Sequence, residues 1–187
     1  RICEILIEQA KLGRRVVRLK GGDSFIFGRG GEEVEAVRAA GIEAHVTPGI
    51  SAALAAGAQA QIPLTHRDAA QAVTFVTGRP KLGGPDLDYS ALAASTHTLV
   101  VYMGVAVAAT LSRRLVEAGR SPATPVGIIE NASLSTERRV FTTLDALAHT
   151  ISSEKLSGPA VLVIGEVVAR APGHLASLSL QALEHAA

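Results

Sequence analysis

Apolar residues along this chain switch between helical and extended spacing. Ile2, Ile5, Leu6 and the Gln9-Ala10 pair recur every three to four residues, which predicts an amphipathic helix that Gly13 is placed to stop. A β-branched run over 16–19 predicts a strand. Residues 32–40 predict a second helix, with Glu32 and Glu33 in its first turn and Gly41 at its end. A further strand is expected over 43–47. Ser51 stands as N-cap of the alanine-rich helical segment 52–60, and Pro63 ends it. A strand over 73–77 is expected to be the last of this first layer, with parallel pairing through right-handed crossovers.

Gly78, Pro80, Gly83, Gly84, Pro85 and Asp86 concentrate turn formers, so a linker is expected there, dividing the chain into lobes over 1–78 and 79–187. The second lobe reads as a strand over 98–102 and then a helix with Ala108, Leu111, Leu115 and Ala118 on one face, closed by Gly119. Strands follow over 126–130, 139–142 and 160–166, and Leu144, Leu147, Ala148 and Ile151 form one helical stripe. The tail beyond Pro172 reads as frayed or as an added helix. The fold class is therefore α/β, each lobe a sheet flanked by helices.

With 187 residues the chain is long enough to bury a real core, and 48% of it is hydrophobic but only 3% aromatic. Small-residue helices on aliphatic strands fit that balance. A formal charge of +1 with no basic run gives nucleic-acid binding no electrostatic support. The single Cys3 cannot form an internal disulfide and reads as an inert buried thiol, which sets the expectation of a reducing, cytoplasmic setting. No apolar run approaches the roughly 20 residues that span a bilayer, so no membrane is expected. Six scattered histidines with no cysteine partners give no metal site. The chain opens inside a helical pattern, without an initiator Met, and is expected to lack its beginning.

The segment Val16-Val17-Arg18-Leu19-Lys20-Gly21-Gly22-Asp23-Ser24-Phe25-Ile26-Phe27-Gly28 breaks from a strand pattern into glycines and one carboxylate. Gly21 and Gly22 permit positive φ and close approach of a ligand to the main chain, and Asp23 adds two acceptors. The carboxyl ends of strands in open α/β sheets are where ligands gather. Read alone, Gly-Gly-Asp is also an ordinary strand-to-helix turn. Gly28-Arg29-Gly30-Gly31 lacks the Gly-Lys-Ser/Thr ending of a P-loop.

This segment resembles the signature of the uroporphyrinogen-III C-methyltransferases within the tetrapyrrole methylase family. Three further matches follow in order: Thr47-Pro48-Gly49-Ile50-Ser51-Ala52-Ala53; then Ile62-Pro63-Leu64-Thr65-His66-Arg67-Asp68 running into Val73-Thr74-Phe75-Val76-Thr77-Gly78; and Val100-Val101-Tyr102-Met103-Gly104 with Glu130-Asn131. Together they cover residues 15 to about 170. The resemblance implies a two-lobed methylase fold with a ligand cleft between the lobes, S-adenosylmethionine as methyl donor and S-adenosylhomocysteine as product. Uroporphyrinogen III would be the acceptor, precorrin-2 the product on the way to sirohaem and cobalamin, and a homodimer the assembly. Gly21, Gly22, Asp23 and Ile26 would meet the amino-acid portion of the donor, Ser51 and Ala52 would contribute at a helix N-terminus, and Met103 and the backbone of Ala132 would face its adenosine. The eight carboxylates of the acceptor call for cations, with Arg18, Arg29 and Arg67 as candidates and Lys20, Arg79 and His66 near them.

Three departures from the family pattern stand out. Ser24 replaces a proline, which predicts a looser donor loop. Ala132 replaces a glycine, which matters only if positive φ is required there. The Gly-Pro-Gly-Asp donor loop and the acid/base Asp and Lys of the family lie before residue 1, so no catalytic residue is assigned, and weak donor binding with slow or absent turnover is expected. Other tetrapyrrole or diphthine methylases share the donor half, and a silent binding or assembly module remains a reading from a different class. Leu64-Thr65-His66-Arg67-Asp68 favours the uroporphyrinogen branch.

Overall fold

In the computed structural model, residues 1–80, 83–93, 96–172 and 174 are described. The chain divides into two compact units, Arg1–Ala52 and Ala53–Ala187.

The first unit holds two helices, α1 (Ile2–Lys11) and α2 (Gly30–Ala39). Each ends as its glycine predicts, with Gly13 and Gly41 in the left-handed region at φ 75° and 76° just past the last turn. The strands expected over 16–19 and 43–47 are absent. Both stretches are irregular, and no backbone-to-backbone hydrogen bond joins them to another segment among the described residues. A β-branched run becomes a strand only where a partner ladder takes its N–H and C=O groups. Val17 and Leu19 are accordingly 80% and 83% exposed. Cys3 is half-buried rather than buried.

The second unit opens with α3 (Ala52–Gln59), most of which lies in this unit, and continues through β1 (Ala72–Thr77), a short α4 (Tyr89–Leu92), β2 (His97–Tyr102), α5 (Ala108–Glu117), β3 (Pro125–Glu130), β4 (Arg138–Thr143), α6 (Leu147–Ser153) and β5 (Ala160–Ile164). One five-stranded sheet runs in the order β1-β2-β5-β3-β4. Residues 72–77 are therefore not the last strand of a first layer: β1 pairs in parallel with β2, Phe75 opposite Val100, and belongs to the sheet that the boundary expected at 78 would have cut. The compact units instead part at residue 52. Parallel pairing stops with β1 and β2. The β2–β5, β5–β3 and β3–β4 pairs are antiparallel; for β3 and β4 a short hairpin between Glu130 and Arg138 reverses chain direction.

Strands β2, β5 and β3 are buried along almost their whole length, whereas the edge strands β1 and β4 are largely half-exposed. Aliphatic side chains thus cover both faces of the central strands. On one face Leu99, Val101, Val126, Ile128, Leu162 and Ile164 pack with Leu111 and Leu115 of α5 and Leu147 of α6, the helical stripes expected from the sequence. Arg120 is buried and donates to the carbonyl oxygens of Leu92, His97 and Ile164 at 3.1, 3.1 and 3.2 Å. Burial pushes its guanidinium pKa down. The expected tail beyond Pro172 lies outside the described residues except for His174.

Candidate functional site

In the first unit, Asp23 organises the glycine-rich loop. Its Oδ1 accepts the Phe25 N–H at 2.9 Å and its Oδ2 the Gly49 N–H at 3.1 Å, tying residue 23 to the Thr47-Pro48-Gly49 segment 26 residues on. Backbone donation from Gly49 and then Phe25 holds its carboxyl below the ordinary aspartate range. A carboxyl lowered in the folded state contributes fully above its unfolded value near 3.9, and that contribution fades as the pH falls through the lower folded value. The amide resonances of Phe25 and Gly49 are therefore expected to hold steady down to about pH 4 and to move only below it, whereas Asp23→Asn should displace the Gly49 signal at every pH.

The glycines act differently from one another. Neither Gly21 nor Gly22 has positive φ, so the conformational argument for them fails. Gly22 is needed for close approach: a Cβ there would lie 3.3 Å from Ile50 O, and one on Gly49 would lie 3.0 Å from Gly22 O. A Cβ on Gly21 would meet nothing within 4 Å, which leaves an open stretch of main chain. Further on, Gly30 N–H donates to Ser24 O at 2.9 Å and closes the loop onto the start of α2. Phe27 and Arg29 take left-handed φ of 51° and 57° to make that closure, a strain of the kind that collects at functional sites. Ile26 is half-buried within the loop. Ser51 is buried and directly precedes α3, while Ala52 is exposed.

In the second unit, Met103 follows the end of β2 in the left-handed region at φ 55° and is 44% exposed. The same loop is tightly built: Gly78 N–H donates to Tyr102 O at 2.7 Å, and a Cβ on Gly78 would come within 2.6 Å of Met103 O. Tyr102 also lends its hydroxyl oxygen to the Ala53 N–H at 2.9 Å, satisfying a free donor in the first turn of α3, a role its sequence position did not reveal. At the end of β3, Glu130 is buried and accepts from Gly158 N–H at 2.7 Å and Ser157 N–H at 2.9 Å, and those donors, Gly158 first, lower its pKa. Positive φ falls on Asn131 and Ser133, at 51° and 69°, and not on Ala132 between them. Alanine at 132 therefore carries no conformational cost.

The candidate cations separate into bound and unbound. Arg18 and Lys20 both reach Glu33, at 3.3 and 3.4 Å, and Lys20 also bonds the carbonyl of Gly28. Arg29 pairs with Glu32 at 2.6 Å, the main reason its pKa is raised. Glu33 thus joins the 16–20 segment to α2, a long-range tie invisible in the sequence. Arg67 and Arg79 have no ion-pair partner among the described residues. Among the described residues no group of His, Cys, Asp and Glu forms a metal site, and no helix is long and apolar enough to cross a membrane.

Residues 1–148 match the family model described as Tetrapyrrole (Corrin/Porphyrin) Methylases. A siroheme synthase of Chromobacterium violaceum is 48% identical over 167 residues, 89% of this chain and 36% of the relative. One from Xylella fastidiosa is 49% identical over 170 residues, 91% of this chain and again 36% of the relative. The chain thus spans about a third of the length of these proteins. Among solved structures, the uroporphyrin-III C-methyltransferase of Thermus thermophilus complexed with S-adenyl homocysteine superposes with a TM-score of 0.78 at 39% identity, covering 89% of this chain and 73% of that one. A cobalt precorrin-4 methyltransferase reaches a TM-score of 0.81 at 23% identity, a likeness of fold.

Proposed function

We propose, since this chain belongs to the tetrapyrrole (corrin/porphyrin) methylase family, that it forms part of an S-adenosylmethionine-dependent enzyme that C-methylates uroporphyrinogen III to precorrin-2. That step feeds sirohaem and cobalamin synthesis. One observation carries the reading above the others: the main chain at Gly21 stands open, in a loop whose remaining parts are locked by Asp23 and by the Gly30 to Ser24 hydrogen bond. A loop that spends its carboxylate on its own backbone and leaves bare peptide exposed is built to receive a ligand by main-chain contact.

The donor supplies an activated methyl group on a sulfonium, so transfer to a pyrrole carbon needs alignment above all. Gly21, Gly22 and Ile26 would receive its amino-acid end, with Asp23 fixing their geometry instead of spending both its oxygens on the ligand. Ser51 and Ala52 contribute the start of α3. Met103, held in a strained and exposed conformation, and the backbone of Ala132 are the proposed adenosine contacts. Arg67 is the favoured acceptor-binding cation because its guanidinium has no ion-pair partner among the described residues, whereas Arg18 and Arg29 would have to exchange Glu33 and Glu32 for a substrate carboxylate. No residue here is assigned as acid or base. A homodimer is proposed from the family resemblance, with Ile2, Ile5, Leu12, Val17 and Leu19 as exposed apolar side chains a second copy could cover, and the free thiol of Cys3 fits a cytoplasmic setting.

Calorimetry with S-adenosylhomocysteine, followed by transfer of labelled methyl groups to enzymatically made uroporphyrinogen III, tests the reading; a chain that binds no S-adenosylhomocysteine removes it. Met103→Gly separates ligand contact from structure. It should leave thermal stability nearly unchanged, because glycine relieves a left-handed cost of about 1 kcal/mol while freeing the unfolded chain by a similar amount. Its S-adenosylhomocysteine affinity should fall several-fold.

A further inference from the structure

The buried residues of helix α3 are all small. They are Ala53, Ala56 and Gly57, each of which removes little apolar area from water, so packing alone gives the helix weak positional specificity. The Ala53 N–H belongs to the first turn, where no intrahelical carbonyl is available, and Ala53 itself is fully buried. A buried N–H has to find an acceptor. This one donates to the Tyr102 hydroxyl oxygen at 2.9 Å.

Tyr102 is the last residue of β2. Side chains alternate along a strand, so Tyr102 lies on the face opposite Leu99 and Val101, which pack with α5 and α6. Its ring meets Phe75 of β1 edge-on, with centroids 6.2 Å apart and planes at 71°, and its backbone pairs with Thr77 on one side and Val161 on the other. A phenol has two side-chain torsions, and with the ring and the backbone both held by the sheet, its hydroxyl is a rigid acceptor for α3. The next residue is Met103, whose loop is clamped on both flanks. A Cβ on Gly104 would lie 2.7 Å from Leu162 Cδ1, and the Met103 carbonyl is pressed against Gly78. The Met103 loop therefore follows any shift of Tyr102, and Tyr102 cannot shift without breaking its hydrogen bond to α3.

We infer that Tyr102 is a positioning residue for the methyl donor: through its hydroxyl it ties the first turn of α3 to the Met103 loop and holds that loop in its ligand-binding form. The inference rests on the methylase reading above, in which Met103 meets the donor's adenosine. Tyr102→Phe keeps the ring and deletes the acceptor. Thr150→Val is the matched control, because it also deletes one hydroxyl from a buried hydrogen bond of the same unit, that between Thr142 and Thr150 at 2.8 Å.

The test titrates the wild-type chain and both variants with S-adenosylhomocysteine by calorimetry, and follows the Ala53 amide and the Met103 methyl by NMR. Met103 is the single methionine of the chain, so its methyl gives one unambiguous signal. Tyr102→Phe is expected to shift the Met103 methyl as well as the Ala53 amide and to weaken S-adenosylhomocysteine binding about fivefold, the equivalent of one net hydrogen bond. Thr150→Val should lower thermal stability to a similar extent and leave both the methyl and the affinity unchanged, a split that a merely structural role for Tyr102 would not produce. A Met103 methyl that stays in place in Tyr102→Phe, or equal affinities in the two variants, overturns the inference and leaves the methylase reading standing. A wild-type chain that binds no S-adenosylhomocysteine removes the methylase reading and, with it, the role of Tyr102.

Discussion

Replacing Gly30 with alanine is expected to open the loop between Asp23 and α2 and to weaken S-adenosylhomocysteine binding at least tenfold. A Cβ at residue 30 would sit 2.5 Å from Ser24 O and 2.9 Å from Ser24 Cβ, and the obstruction is backbone that cannot swing aside. Overpacking of this kind costs about 1–3 kcal/mol, and the Gly30 N–H to Ser24 O bond that closes the loop contributes about 1 kcal/mol more. Gly31→Ala is the control. Nothing lies within 4 Å of a Cβ there, and alanine in α2 should stabilise by up to about 1 kcal/mol and leave binding intact. Calorimetry on the two variants reads the difference. Equal affinities would mean that the closed loop does not hold the ligand.

Arg120→Met is expected to produce the largest loss of stability in the five-stranded unit, about 3–4 kcal/mol, because three carbonyl oxygens lose a charged donor at once. For a chain of this size that corresponds to roughly 10 °C in Tm, measurable by calorimetry or circular dichroism. The guanidinium joins the end of α4, the start of β2 and the end of β5, so its loss should also reduce amide protection at His97 and Ile164. A drop of less than about 3 °C would show that water or Lys-like rearrangement replaces these bonds with little penalty.

Much of the second unit is legible in its sequence because its signals are local. Leu99, Val100 and Val101 form a continuous aliphatic run of strand length, and Ala108, Leu111 and Leu115 repeat at helical spacing, so both elements appear where the pattern places them. The partners of each strand are not local. β1 pairs with β2 across 25 residues, and β5 inserts between β2 and β3, arrangements that depend on connection geometry and burial and not on any residue of the strand. The runs at 16–19 and 43–47 show the converse, since their β-branched composition satisfies the pattern and yet no ladder forms among the described residues.

The candidate site was partly legible for the same reason. The glycines, Asp23 and the exposed Met103 stand out by type and order, but what each does depends on distant atoms. Asp23 reaches Gly49, Gly22 is pressed by Ile50, and Arg18 is neutralised by Glu33. Residue identity suggested that all the arginines near the loops were alike. Only their partners separate Arg67 from Arg18 and Arg29.

The proposal that the main chain of the Gly21 loop receives a sulfonium donor is tested most directly by photolabelling. The chain is irradiated with methyl-labelled S-adenosylmethionine, with and without excess S-adenosylhomocysteine, and the labelled peptides are mapped. Label on the peptide carrying residues 21–30, lost to the competitor, is the predicted result. Label spread over other peptides, or insensitive to S-adenosylhomocysteine, would contradict it.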